Sequence, residues 1–310
     1  MRIFKYQFIL ACCLIMFTST MMVSCDKKDD VTVTGDNLDK LILSNSDLSI
    51  FQAALVKTRL TQFTQGGGPF TIFAPTNAAF AAMGISSVAD LASIDSNSLV
   101  QLLTYHIQSG SRSFTEIPLG PNANMATQGG FTLYGARYPD GQAFINGSKI
   151  NSYTAASNGF LYIIDKVLVP GSLSAANSLL INNNYKLMLQ ALNKTVVTTV
   201  TNPATIFAVP NSVMIAAGYD STSIATMLTS SAAFTTLKSI MQYHIVPQRI
   251  FTPNMKAGPL KTVQGTNVTI GLGTPRTVKG TNNPTPFNIV VPDLLTSTGV
   301  IQGINGLLKP

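Results

Sequence analysis

Thr71 to Phe80, TIFAPTNAAF, decides the reading, because a stretch of the same design returns as Thr205 to Met214, TIFAVPNSVM. In both, Thr, Ile and Phe alternate like a buried strand, and a Pro and an Asn then stop the strand and open a helix. The expected order is strand, Pro turn, Asn cap and Ala-rich helix. Downstream of each copy stands the same pair with one of the chain's 2 histidines, Tyr105-His106 and Tyr243-His244. Each unit closes alike, Gly159 to Ile164 running on to Pro170 and Gly299 to Ile304 running on to Pro310. Upstream, Ala54-Leu55-Val56-Lys57-Thr58 is echoed by Ala191-Leu192-Asn193-Lys194-Thr195. Matching landmarks lie 137, 134, 138 and 140 residues apart. Order and spacing are kept, so the chain holds a duplicated domain. The repeat exceeds the roughly 20 to 50 residues of a solenoid unit, so each copy is expected to bury its own core.

Hydrophobic spacing places a helix around Leu48 to Leu60, a turn at Gly66-Gly67-Gly68-Pro69, and short helices at Ser87 to Leu91 and Ser96 to Ile107. Phe114 to Pro170 reads as strands with turns at Pro139-Asp140-Gly141 and Asn146-Gly147. The second copy repeats this with helices at Leu179 to Leu192 and Phe234 to His244. Gly271 to Pro286, rich in Gly, Thr, Asn and Pro, reads as a long loop or edge hairpin. Helices first and strands after, without βαβ alternation, argue an α+β unit.

Three groups of residues carry a family resemblance: Phe73-Ala74-Pro75-Thr76-Asn77-Ala78-Ala79-Phe80, the pair Tyr105-His106, and Asn158-Gly159 through Asp165-Lys166-Val167-Leu168-Val169-Pro170. Together they resemble the fasciclin-like domain. The second copy departs at Val209-Pro210, at Met214 in place of Phe80, and at Asn305 in place of Asp165. The resemblance implies two tandem domains, residues 36–170 and 171–310, each a β-sandwich wedge with a cluster of short helices. It implies secreted or surface proteins that mediate adhesion, and no active site. It also singles out Tyr105, His106, Tyr243 and His244 as candidate binding residues. The alternative for both histidines is structural, an imidazole hydrogen-bonded to backbone where helix meets sheet.

At the amino terminus, Arg2 and Lys5 precede an apolar run from Phe8 to Val23 that ends in Ser24-Cys25. Residues 1–24 therefore read as a secretory signal, the alternative being an uncleaved anchor. Ser24-Cys25 resembles a bacterial lipobox, which makes Cys25 the lipidation site. Cys12 and Cys13 lie inside the discarded run, so no disulfide remains. Two or three acyl chains, at about 0.8 kcal/mol per buried methylene, would hold the protein on a membrane. Residues 25–35 read as a lipidated tether. Lys27-Lys28-Asp29-Asp30 resembles the signal that sends lipoproteins of Bacteroidetes-type bacteria to the outer surface, and a plain solvated linker is the alternative. The expected location is the cell envelope, as an outer membrane lipoprotein exposed at the surface.

Composition is 45% hydrophobic and 11% charged, too apolar for disorder, with a neutral hydroxyl- and amide-rich remainder. Catalytic classes are poorly supplied. One histidine per copy with no cysteine and few carboxylates makes no metal site, no G-x-S-x-G elbow occurs, and Glu116 is the sole glutamate. Neither an enzyme nor a cofactor is expected.

Charge is uneven: residues 36–170 carry 7 Lys and Arg against 8 Asp and Glu, whereas residues 171–310 carry 9 against 2. The basic copy suits acidic polysaccharide or membrane phosphate, or simply carries scattered solubilising charge. Lys256, Lys261, Arg276 and Lys279 are the cations to follow. They lack the aromatic interleaving of a nucleic-acid platform. The expected function is non-catalytic adhesion or matrix binding by a lipid-anchored protein whose ligand is an extracellular protein or polysaccharide. The alternative is a glycan-binding accessory lipoprotein of a surface nutrient-uptake system.

Overall fold

The computed structural model describes residues 35–171, 174–195 and 203–310, with side chains described from Asn184 onward in the second of these segments. The signal segment, Cys25 and residues 26–34 of the tether lie outside the described residues.

The first half opens with helices Leu38–Leu43, Ser49–Lys57 and Gln62–Gln65, then strand β1 (Phe70–Pro75) and helix Asn77–Ala82. A 3-10 turn at Val88–Ser93 and helix Ser96–Tyr105 follow. Six more strands complete this half: β2 (Ile107–Ser109), β3 (Gly120–Ala126), β4 (Thr132–Arg137), β5 (Ala143–Ile145), β6 (Ser148–Ala156) and β7 (Gly159–Ile164). They form one sheet in the order β2-β1-β7-β6-β5-β4-β3. Only β1 and β7 run parallel, with Phe70 opposite Gly159 and Pro75 opposite Ile164; the other pairs are antiparallel. A parallel pair needs a long crossover, which the helices and the meander between β1 and β7 supply.

The second half repeats the plan with β8 (Ala204–Ala208), β9 (Ile245–Val246), β10 (Gly258–Lys261), β11 (Asn267–Gly271), β12 (Thr277–Lys279), β13 (Phe287–Thr296) and β14 (Gly299–Ile304). Their order, β10-β11-β12-β13-β14-β8-β9, is the first sheet read from its other edge. The β8–β14 pair is again parallel. The expected wedge is thus a curled seven-stranded sheet in each half, closed at one end by short helices.

Strand β1 shows why the opening stretch organises its half. Ile72 and Ala74 point into the core under the helices, whereas Phe73 points into a second core on the sheet's other face, beside Tyr162 and Ile164. Both faces are covered, so the alternation sorts residues between two cores and not between core and solvent.

The structure corrects four expectations. Asn77 is not the helix cap: Thr76 occupies that place and accepts from Ala79 N–H at 3.2 Å, and in the second copy Pro210 stands there without a side-chain bond. Asn77 instead reaches back to helix Ser49–Lys57, taking Ile50 N–H at 3.0 Å and donating to Ser46 O at 2.9 Å. Asn211 likewise takes Leu187 N–H at 3.0 Å. The helix expected over Leu179 to Leu192 runs Ser174–Thr195 and is broken at Tyr185 (φ −124°, ψ 16°). Gly271 to Pro286 is not an edge: it contains β12, an interior strand between β11 and β13. The cores are not wholly separate either. One cluster lies within each half, but a third joins Phe251, Leu295 and Val300 of the second half to Phe73, Tyr105 and Tyr162 of the first.

Gly159 and Gly299 open the two parallel closing strands at equivalent points. A Cβ at either would lie 1.8 Å from a backbone oxygen of the partner strand, Phe70 O or Ala204 O. Gly159 also has φ +149°. Backbone cannot yield as a side-chain tip can, so we predict that Gly159→Ala or Gly299→Ala costs about 2 kcal/mol or more. Urea denaturation checks this, and a midpoint equal to that of the parent protein contradicts it.

Candidate functional site

The Tyr-His pairs sit where a helix ends and the sheet begins. Helix Ser96–Tyr105 is opened by Asp95, whose carboxylate accepts from Ser98 N–H at 2.9 Å, and its Leu99, Leu102 and Leu103 are buried in one stripe. His106 follows as the C-cap (φ −85°, ψ −1°), so consecutive side chains diverge into different cores. Tyr105 points toward the sheet, donating to Thr132 O at 2.8 Å and accepting from Asn146 Nδ2 at 2.8 Å. His106 points the other way. Its Nδ1 donates to Leu102 O at 2.8 Å, and its Nε2 accepts from Leu168 N–H at 2.9 Å, in the closing segment. The second copy reproduces these bonds with one change, since Tyr243 accepts from Thr281 N–H at 2.9 Å where Tyr105 accepts from Asn146. His244 Nδ1 meets Ile240 O at 2.9 Å, Nε2 takes Leu308 N–H at 3.0 Å, and Tyr243 donates to Asn267 O at 2.6 Å.

All four candidate residues are 0% exposed. They are therefore scaffold in this structure and not contact residues: a macromolecular ligand cannot touch them, and neither ring nitrogen is free to take a substrate proton. Because Nε2 accepts a backbone N–H, the proton must sit on Nδ1 and the ring must be neutral. Burial holds both imidazoles well below the usual 6.5, at about 4, and the helix carbonyl opposes this only in part.

The four cations are dispersed. Lys256 and Lys261 are exposed, Arg276 and Lys279 half-buried. Arg276 is already engaged, donating through Nε to Thr252 O at 3.1 Å and through Nη1 to Leu272 O at 3.3 Å. Lys256 and Arg276 line different hollows, of about 350 and 410 Å³, and Lys261 and Lys279 line neither. Among the described residues no three His, Cys, Asp or Glu side chains come together, and no helix is long and apolar enough to cross a membrane.

What the sequence missed is the seam between the halves. Asp293, with φ +65° and a side chain 1% exposed, receives four donors. These are Thr252 N–H at 2.6 Å, Thr252 Oγ1 at 2.5 Å, Gln302 Nε2 at 2.9 Å and, from the first half, Lys166 Nζ at 3.0 Å. Lys166 also donates to Gly147 O at 3.3 Å in the Asn146-Gly147 turn. That turn lies so close that a Cβ on Gly147 would meet Asp293 Oδ2 at 2.6 Å. Nearby, Tyr138 donates to Asn254 Oδ1 at 2.5 Å and Asn122 Nδ2 donates to Arg249 O at 2.7 Å. Both halves also line an apolar groove of about 570 Å³, whose walls include Met83, Val167 and Leu294 and which reaches the Lys166–Asp293 pair. One signal was available: only Asp220 and Asp293 are acidic after residue 170, and Asp293 interrupts an apolar strand.

Two copies of one curled sheet, each locked to its helices by a buried Tyr-His joint, define a tandem-domain protein whose histidines serve architecture. The Fasciclin domain family matches this chain twice, over residues 46–170 and 182–310, and the chain belongs to that family. Protein sll1483 of Synechocystis is 34% identical over 128 residues, covering 41% of this chain and 69% of that protein. The cell surface glycolipoprotein MPB83 of Mycobacterium bovis is 34% identical over 108 residues, covering 34% of this chain and 46% of MPB83. A solved FAS1 domain pair from the insect cell adhesion molecule Fasciclin I aligns at 16% identity with a TM-score of 0.39, covering 88% of this chain and 96% of that one.

The joints have an acid signature. Between pH 6.5 and about 4 the unfolded chain takes up protons at His106 and His244 that the folded chain refuses. The stability they contribute is therefore whole above pH 6.5 and lost as pH falls toward 4. A displacement of this size corresponds to roughly 3 kcal/mol per ring. We predict a lower urea midpoint at pH 4.5 than at pH 7, and a flatter pH profile in His106→Gln, His244→Gln protein. An equally steep profile in that double variant would show that the rings do not carry the effect.

Proposed function

We propose that this protein is a lipid-anchored component of the cell envelope, displayed at the surface, that works by contact: adhesion or matrix attachment without catalysis. The observation that carries this is the fate of the two histidines. The residues best suited to acid-base chemistry are sealed in the core with both nitrogens occupied. The accessible remainder offers hydroxyls, amides and scattered cations, the chemistry of a recognition surface. Family membership supports the reading, as does similarity to a relative named as a cell surface glycolipoprotein. The second reading, a glycan-binding accessory protein of a surface uptake system, draws support from the hollows along the seam, which are of small-ligand size.

Protease shaving of intact cells tests the display, and we predict loss of the protein before the envelope is breached. Full protection until the outer membrane is opened places it in the periplasm. A glycan array on the full chain separates the two roles. Binding only to polymers, proteins or cells supports adhesion, and tight capture of one free oligosaccharide supports uptake. A Cys25→Ser variant recovered in the membrane fraction as fully as the parent overturns the lipid anchor.

A further inference from the structure

Three of the four half-buried arginines have settled partners. Arg112 donates to Glu116 O at 3.2 Å, Arg137 to Ile117 O at 2.8 Å and Thr115 O at 3.0 Å, and Arg276 to Thr252 O at 3.1 Å. Arg249 differs. Its guanidinium lies over the Tyr134 ring, 3.8 Å from the centroid, and among the described residues no acceptor bonds to it. Its Nε is buried without a partner, and the two ion pairs of the described residues, Lys40–Asp36 and Lys166–Asp293, do not include it. A cation removed from water without a counter-charge is costly, and stacking on an aromatic face compensates only in part.

Arg249 lines the seam hollow of about 350 Å³ together with Lys256, and no carboxylate lines it. On the facing wall stands Asn122 of the first half, at a bulge in β3 and with φ +61°. Its Nδ2 holds the Arg249 carbonyl, and its Oδ1 is buried without a donor. The wall thus carries a planar cation, a point cation, an unused donor and an unused acceptor. Met255, Leu260 and Ile270 supply an apolar floor. A guanidinium fork matches a planar oxyanion, the apolar floor suits the C–H face of a sugar ring, and a hydroxyl supplies the donor that Asn122 lacks. Arg249 Nε and Asn122 Oδ1 are buried, so a ligand would engage them through rotation of these two side chains.

We propose that this hollow is a binding site for one oxyanion-bearing sugar unit, a uronate or a sulfated hexose, of a surface polymer. The site deepens the contact role proposed above and rests on it. The hollow lies at the seam: Pro121 and Asn122 of the first half complete a site whose cations and apolar floor come from the second.

Calorimetric titration of the full chain with oligogalacturonate, a sulfated galactan fragment and a neutral galactan fragment tests it. The expected result is binding of at least one anionic oligomer, weakened by added salt, and none of the neutral one. Arg249→Lys keeps the charge but loses the fork and should weaken binding about tenfold. Lys256→Gln, at an exposed position, should weaken it about threefold with an unchanged melting temperature. The two anionic arms tell carboxylate from sulfate. Failure of both to bind, equal binding of the neutral fragment, or parental affinity in both variants overturns the site. Cell attachment compared between the parent strain and a strain lacking the protein tests adhesion separately, so the contact role can stand while the site falls.

Discussion

In each half a single histidine holds three elements at once: the helix that ends at it, the segment that closes the domain, and, through its backbone carbonyl, the central strand β1 or β8. His106 takes Leu168 N–H and gives its own proton to Leu102 O, and its backbone carbonyl accepts Phe73 N–H at 2.9 Å. His244 does the same with Leu308, Ile240 and Phe207. A neutral imidazole is suited to this because it offers one donor and one acceptor on opposite sides of a rigid ring. Lysine or arginine could only donate, and a carboxylate could only accept while bringing a charge into a dry core. Helix and closing segment lie some sixty residues apart in the chain, so the bond ties two distant parts of the domain together.

The copies part company one strand away. In the first, Tyr153 and Tyr162 stack across β6 and β7 with ring centroids 5.6 Å apart, and Tyr162 donates to Arg112 O at 2.8 Å. In the second, Gln302 takes the place of Tyr162 and donates to the equivalent carbonyl, Ile250 O, at 3.0 Å. Opposite it, β13 gains a residue, since the register jumps from Val291 to Leu294 where the first copy passes from Ser152 to Thr154. The bulge puts Asp293 at positive φ and turns its carboxylate into the seam, where an aromatic ladder would have stood. Duplication thus supplied two equal sheets, and one inserted residue gave them different faces. Once buried, that carboxylate needs its four donors, and one of them comes from the other half.

Much of this was legible in the chain, and the limits are physical. The repeat, the strand Thr71 to Pro75, the turn at Asn146-Gly147 and the α+β order all rest on local rules, namely period, breakers and positive φ, and they hold in the structure. The role of Asn77 was not legible, because a polar side chain at a helix start can cap its own helix or a neighbouring one, and only the approach of Ser49–Lys57 decides. Strand β12 was hidden because three residues among Gly, Thr, Asn and Pro carry no pattern of their own, and pairing on both sides makes them a strand. Of the candidate site residues, the tyrosines and histidines were found by position, but their burial depends on the closing segment far along the chain. Asp293, Lys166, Arg249 and Asn122 belong to the seam, which no local window contains.

The charge of the second half looks different once positions are known. Its 9 cations against 2 acids suited acidic polysaccharide or membrane phosphate, or simply scattered solubilising charge. Lys261 and Lys279, however, stand on separate strands and line no shared hollow, and Arg276 spends two nitrogens on backbone carbonyls. In water such charges act through a screened field that falls off over about 8 Å at physiological salt. Arg249 is seated on Tyr134 and shielded on one side by protein, so the same unit charge interacts more strongly with a neighbour at equal distance. Where this surface selects an anion, burial and orientation should therefore count for more than the number of basic residues. Along the seam, the compensated cation Lys166 serves cohesion and the uncompensated one, Arg249, remains available for recognition.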